Sequence, residues 1–382
     1  MEIKQSSSGK IVKSPKGYTA FLPNPLPPTI EWNNNLISAL SRADHVLGKL
    51  SREGNKLPNP HLLMRPFIAR EAVLSSKIEG TQATIGEILA DEAGVSVERS
   101  SDDLQEVRNY IIALNHGIKL LDTLPVSLRL IKKIHEELMQ GVRGEHATPG
   151  EFRRTQNWIG VPGCTLNTAK YVPPTPDDLM DCLGKLETFL HDRKLPPLIQ
   201  IALCHYQFES IHPFLDGNGR VGRLLITLLL IERKLLPSPL LYLSAFFEAT
   251  REEYYRQLFN VSSQGTWQDW LMYFLNGVAV QSEDALSRAE RINNLLTEWQ
   301  TKVEGGSQIP VEIIKYFAVN PFLTISNIAE HFDIAFTTAQ RAVKKLEALD
   351  IIQQTTDTKR DRVYCATKIL NILEEPAKIN VG

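Results

Sequence analysis

A mainly α protein is the fold class that this chain predicts, and three observations carry it. Apolar residues recur at three- and four-residue steps over most of its length. Two segments, 198–211 and 222–236, are apolar nearly all round, as expected of central core helices. Alternating, proline- and glycine-punctuated sequence is confined to one short stretch that suits a β-hairpin flap. With 382 residues, two or three domains are expected.

In chain order, residues 1–29 are rich in Ser, Pro and Gly and predict a mostly irregular arm. Residues 30–125 read as an N-terminal helical region. Within it, PFIAREAVLSSKIE predicts a helix over 66–79, with Pro66 in its first turn and Gly80 just past its end. Phe67, Leu74 and Ile78 would face the core. Ser75 and Glu79 stand four apart and share a face. A carboxylate at a helix C-terminus is electrostatically misplaced, so Glu79 calls for a cationic partner. Leu104, Val107, Ile111, Leu114, Ile118 and Leu121 mark a further amphipathic helix.

Residues 126–300 form the expected central core. Leu128, Ile131, His135 and Leu138 line one helix, ended by Gly141; Leu179, Leu183, Leu186 and Leu190 line another. Between them FRRTQNWIG and VPGCTLNTAKYVPPTP supply the flap, with Thr168, Ala169, Lys170 and Tyr171 as its strand and Pro173–Pro174 as its stop. Glu151, Arg153 and Arg154 read as surface or structural charges. SAFFEATREEYYRQL predicts a helix carrying Tyr254 and Tyr255, and Trp267 and Trp270 anchor a helix over 268–300.

The loop between the two apolar helices, HPFLDGNGRVGR from His212 to Arg223, carries the chemistry. Gly217 and Gly219 bracket Asn218, so the backbone can take positive φ and turn N–H groups inward as an anion nest. The helix that follows presents its N-terminus, a favourable end for phosphate. Arg220 and Arg223 add planar cationic forks, Asp216 a hard oxygen ligand suited to Mg²⁺, and His212 a base that titrates near neutrality. Phe214 reads as a core anchor. A GNG turn alone is ordinary; five polar or glycine features between two apolar helices are not a stability-driven choice.

This loop resembles the signature of the Fic family, H-x-F-x-(D/E)-G-N-G-R-x-x-R, with every fixed position present: His212, Phe214, Asp216, Gly217, Asn218, Gly219, Arg220 and Arg223. The resemblance implies transfer of AMP from ATP to a hydroxyl of a target protein, with His212 as general base and Asp216 on Mg²⁺. The stretch 217–223, Val221 and Gly222 included, would hold the phosphates, and Tyr254 would lie by the adenine or ribose. The 168–171 flap would pair with an extended target segment. Ser75-x-x-x-Glu79-Gly80 is likewise similar to the family's inhibitory motif. That similarity implies that Glu79 pairs with Arg223 and spoils the pose of ATP; in relatives the same carboxylate also serves removal of AMP. Transfer of another phosphate-linked group stays open.

Beyond the core, residues 310–375 predict a helix, a helix–turn–helix with Thr324 as cap and a turn at Asp333, and two short strands about a charged tip. That order resembles a winged helix. Thr337, Thr338, Gln340, Arg341, Lys344, Lys345, Lys359, Arg360 and Arg362 could meet DNA. Glu347, Asp350, Asp357 and Asp361 dilute the patch, and a role in protein contact stays open, as does a regulator whose other half only senses nucleotide.

Net charge of −2 argues against a dedicated nucleic-acid binder. No apolar run reaches a membrane span, the polar start does not read as a secretory signal, and Cys164, Cys182, Cys204 and Cys365 form no disulfide framework, so a reducing cytoplasm is the simplest compartment. His205 and His212 have no third partner at a zinc spacing. A homodimer burying part of the inhibitory region is compatible with this layout.

Overall fold

The computed structural model describes residues 6–56, 60–142, 148–161, 163–303, 305, 307–355 and 362–377, with backbone alone at 54–56 and 60–63. Its helices are α1 (Asn34–Lys56), α2 (Pro60–Ile78), α3 (Ile85–Glu92), α4 (Ser101–Leu120), α5 (Leu128–Leu138), α6 (Pro176–Leu190), α7 (Pro197–Ile211), α8 (Asn218–Glu232), α9 (Ser244–Ala249), α10 (Arg251–Gln264), α11 (Trp267–Val303), α12 (Ile309–Phe317), α13 (Ile325–His331), α14 (Phe336–Ala348) and α15 (Thr367–Glu374). The strands are β1 (Gly9–Lys13), β2 (Thr19–Pro23), β3 (Phe322–Thr324), β4 (Gln353–Gln354) and β5 (Val363–Cys365). The chain is thus mostly helical with a small antiparallel hairpin, the fold class that its periodicity predicts.

Helices start where local chemistry dictates. Ser127 caps α5 by accepting from Leu130 N, and Thr175 caps α6 from Asp178 N with Pro176 at the first turn. Thr324 and Asn327 form a reciprocal capping box on α13. The all-round apolar pair, α7 and α8, lies at the centre, packed on each other and flanked by α4, α5, α6 and α11. Trp270 of α11 is fully buried and donates its indole N–H to Ala202 O of α7 at 2.9 Å.

Four expectations change. The arm is not irregular: β1 and β2 pair antiparallel, Gly9 opposite Pro23 through Lys13 opposite Thr19. Its Tyr18 and Ala20 bury against Ala169 and Val172, and Phe21 N donates to Val172 O at 2.8 Å. These are long-range contacts that composition hides. Second, 168–171 is no strand. Thr168 closes a tight turn with Thr165, and the segment meets its opposite arm through a single bridge, Ile159 to Tyr171. Third, α2 begins at Pro60, with Pro66 inside it. Fourth, the helix over 244–258 is broken at Thr250 into α9 and α10.

The C-terminal unit orders its elements α12, β3, α13, α14, β4, β5, with β5 central and antiparallel to both neighbours. Asp333 makes the turn at φ +49°. The charged tip bearing Asp357, Lys359, Arg360 and Asp361 lies outside the described residues. α15 seats the unit on α2, α3 and α11. Arg70 of α2 donates to Leu373 O at 3.1 Å, and buried Arg288 of α11 donates to the carbonyls of Ile372, Glu375 and Pro376.

The cysteines are free, and among the described residues no helix is long and apolar enough to cross a membrane.

Candidate active site

The loop 212–217 is held by its own side chains. His212 ends α7 in the left-handed region, φ +50°. Gly217 at φ +76° turns the chain into α8, and a Cβ there would come within 2.8 Å of Met139 Sδ. Asn218 reaches back, accepting from Phe214 N at 2.8 Å and donating to Phe214 O at 2.9 Å. Its side chain therefore shapes the turn and is not available to a ligand. Phe214 is fully buried and stacked on His135 at 3.6 Å.

Two residues outside the signature complete this support. Arg153, 3% exposed, donates to the carbonyls of His212, Thr155, Pro174 and Ile211. It is a buried strut, the structural charge expected. His135 accepts from Gly150 N at 2.9 Å through Nδ1, so its Nε2–H donates to Asp216 O at 3.1 Å. In the sequence His135 stood only as one more position on a helix face.

At the end of α7, His212 Nδ1–H donates to Glu209 O at 3.3 Å, which leaves Nε2 as the free lone pair. Burial is the main cause that pushes this imidazole down to about 4, so it is neutral near pH 7. Asp216 is exposed; its Oδ1 accepts from Gly217 N at 2.7 Å and lies 3.9 Å from Arg220. No cluster of three metal-ligating side chains occurs among the described residues. One exposed carboxylate beside an anion nest still fits Mg²⁺, which takes one or two protein oxygens and draws the rest from phosphate and water. Arg220 is buried with Nε and Nη1 lacking hydrogen-bond acceptors, although Glu106 stands 3.7 Å away.

Arg223 and Glu79 face each other. Arg223, 2% exposed, donates to Ser75 Oγ and Ser75 O at 2.9 Å each and to Glu79 Oε1 at 2.7 Å. Burial opposes charge on both partners. The ion pair outweighs it, holding Glu79 below the usual carboxylate range and Arg223 above the usual guanidinium range. Gly80 follows at φ +106° and ends the helix.

A cavity of about 590 Å³ joins these groups. Glu79, Gly219, Arg223 and His212 line it together with Trp158, Tyr171, Tyr206, Tyr254, Tyr255, Leu258, Phe259 and Ser262. Tyr254 is buried, its hydroxyl donating to His205 Nε2 at 2.8 Å, whereas Tyr255 is 40% exposed. Val221 and Gly222 do not reach this cavity. Val221 is fully buried and Gly222 O accepts from His205. Of the flap residues, Thr168 and Lys170 are exposed, and Ala169 and Tyr171 are buried. Glu209 also lines the cavity, and no motif pointed to it.

Comparison with known proteins agrees with this geometry. The Fic/DOC family N-terminal domain matches residues 37–119, and the Fic/DOC family domain matches residues 125–230. Protein adenylyltransferase Fic of Drosophila grimshawi is 32% identical over 160 residues, 40% of this chain and 31% of that protein. The Drosophila melanogaster counterpart is 31% identical, over 40% and 30% respectively. The chain thus spans about a third of the length of these curated relatives. A Fic family protein from Desulfovibrio desulfuricans superposes with a TM-score of 0.59 at 21% identity, covering 89% of this chain and 98% of that one. A Fic domain containing signaling protein from Bacteroides thetaiotaomicron gives 0.50 at 20% identity, over 67% and 95%. Two matched domains in chain order, a shared fold and a complete signature loop lead to one assignment: the chain belongs to the Fic/DOC family.

Proposed function

We propose that this protein moves AMP from ATP to a Ser, Thr or Tyr hydroxyl of a target protein, releasing pyrophosphate, and that its own Glu79 holds the reaction back. The observation that carries the reading is the Glu79–Arg223 pair standing inside the cavity that His212 also lines. An acid that occupies a phosphate-holding arginine beside a free base is an arrangement for restraint.

In this reading His212 Nε2 takes the proton of the acceptor hydroxyl as its oxygen attacks the α-phosphorus. The new O–P bond forms as the bond to the β-phosphate oxygen breaks in line, and pyrophosphate leaves. Backbone N–H groups of the 217–219 turn and Arg220 stabilise the phosphate oxygens. Asp216 would hold Mg²⁺, which when bound neutralises phosphate charge. Arg223, once released from Glu79, would hold the terminal phosphate. The target segment would lie along the free edge of the 158–171 loop, beside Thr168 and Lys170; Tyr171 N–H and C=O are both engaged by Ile159.

The test is to incubate the full chain with ATP labelled at the α- or the γ-phosphate, with and without His212→Ala. His212-dependent label from the α-position on protein is the expected result. Label only from the γ-position, or label that survives His212→Ala, overturns the reading.

The C-terminal unit supports a second, compatible role as a winged helix. Helix α14 exposes Phe336, Thr337, Arg341, Lys344 and Lys345 on one side, the helix expected to enter a major groove. Salt-sensitive duplex binding that Arg341→Ala with Lys344→Ala weakens is the expected outcome; no binding at low salt removes the role.

A further inference from the structure

Helix α15 of the C-terminal unit ends against α2, the helix that carries Ser75 and leads into Glu79. Its last carbonyls, which no further turn can satisfy, are met by two buried arginines from other helices. Arg70 of α2 donates to Leu373 O at 3.1 Å, and Arg288 of α11 donates to Ile372 O and, just beyond, to Glu375 O and Pro376 O. Asp284 lies 3.7 Å from Arg70 and 2.8 Å from Arg288 and so serves both. The same unit also grips α3: Glu374 accepts from Gly86 N at 3.0 Å, and Asn320 donates to Leu89 O at 3.1 Å.

Helix α2 is buried without a break from Pro66 to Val73, so its neighbours set its position. Two adjacent residues tie it in different directions. Glu71 accepts from Tyr110 of α4 at 3.1 Å and from the Ser244 hydroxyl of α9 at 2.5 Å, whereas Arg70 reaches α15. If the hold on α15 is lost, the helix can tilt about the one that remains. Glu79 lies eight residues beyond Glu71, about 12 Å along a helix, so a tilt of about 5° moves its carboxylate about 1 Å. The bond from Arg223 to Glu79, 2.7 Å long, does not survive that displacement.

We propose that the C-terminal unit regulates the restraint on Arg223: seated, its α15 keeps α2 where Glu79 reaches the arginine; unseated, it lets Glu79 withdraw. Arg70 is the positioning residue that makes the link. The proposal rests on the restraint by Glu79 proposed above and deepens it.

The test uses the full chain with and without Glu79→Gly, each also carrying Arg70→Met or Arg70→Lys, and follows protein labelling by α-labelled ATP. Arg70→Met should raise labelling about fivefold or more over the wild type, the lower end of a coupling between two sites. Arg70→Lys, which keeps the charge and a donor, should stay nearer the wild type. In the Glu79→Gly chain Arg70→Met should add nothing, whereas a merely structural residue would lower labelling in both chains. If Arg70→Met does not fold, Arg288→Leu decides, because Arg288 holds α15 and makes no bond to α2. Labelling at or below the wild-type level in the decisive variant, or an equal change in both chains, overturns the link while leaving AMP transfer intact. Failure of the restraint itself looks different and takes the link with it: Glu79→Gly then labels no better than the wild type.

Discussion

Glu79 and Arg223 meet at 2.7 Å although 144 residues separate them in the chain, and Ser75 holds the same guanidinium from one helical turn earlier. The carboxylate misplaced at the end of α2 thus finds the cation that electrostatics asks for, and that cation belongs to the signature stretch 212–223. Removing the acid with Glu79→Gly should free Arg223 for a terminal phosphate and raise label transfer from the α-phosphate by about tenfold or more, the worth of one charge-assisted bond. Protein labelling by α-labelled ATP checks this, with unchanged labelling and intact His212 as the contrary result.

His212, the proposed base, carries its own prediction. Burial sets His212 at about 4, so the free-enzyme rate should fall only as pH drops through about 4 and should not bend near 6.5 on its account. Replacing it with alanine should lower transfer about 10²- to 10⁴-fold. A rate profile with an acid limb near 6.5 that disappears in His212→Ala would refute the depressed value.

The turn glycine can be tested separately. Gly217 sits at φ +76° with Met139 Sδ where a Cβ would go, so Gly217→Ala strains both backbone and packing. A loss of about 1–3 kcal/mol in unfolding free energy is expected, together with weaker tripolyphosphate binding. Met139→Ala in the same chain should restore part of the stability, because it removes the clash but not the φ strain. Denaturant unfolding of the wild type and the two variants distinguishes the two contributions.

Much of this was legible in residue order. The all-round apolar runs gave α7 and α8, the glycines gave the turn between them, and the four-residue step from Ser75 to Glu79 gave the face that meets Arg223. What stayed hidden depends on distant partners. Ser6 and Ser8 donate to Ser262 O and Val261 O, and Tyr18 and Ala20 pack on Ala169 and Val172, so an arm that composition marks as irregular becomes a hairpin. Thr168 alternates as a strand residue should, yet its hydroxyl prefers the local turn to Thr165. His135 read only as a position on a helix face and Arg153 as a surface or structural charge, because only the folded loop supplies the carbonyls that they hold.

His205 links α7 to both neighbours and supplies a pH test. Its Nδ1–H donates to Gly222 O at 3.0 Å and its Nε2 accepts from Tyr254. Burial is the main cause that lowers it from 6.5 to about 3. His205→Phe leaves the Tyr254 hydroxyl without its acceptor. It also takes the second donor from the Gly222 carbonyl, which still accepts within α8, for about 1–3 kcal/mol of lost stability at pH 7. The unfolded chain protonates this imidazole below 6.5 and the native one does not until about 3, so the wild type loses stability as pH falls through that window. The variant escapes that loss. Its deficit should therefore shrink on acidification from pH 6.5 toward 4, and thermal unfolding at stepped pH would reveal a constant deficit if the native imidazole were charged.

Arg288 settles how firmly the C-terminal unit is seated. It is 2% exposed, paired with Asp284 at 2.8 Å, and donates to three carbonyls at and just beyond the end of α15, so one guanidinium closes the interface between α11 and that helix. Arg288→Leu would keep the apolar bulk while leaving Asp284 and three acceptors short of donors. Breaking one side of a buried ion pair costs about 3–5 kcal/mol. The expectation is that α15 detaches before the core melts, because α7 and α8 contribute nothing to this contact. Limited proteolysis should then cut near residues 366–377 in the variant at a concentration that leaves the wild type whole; equal protection in both would mean that Arg70 and the apolar face of α15 suffice to hold it.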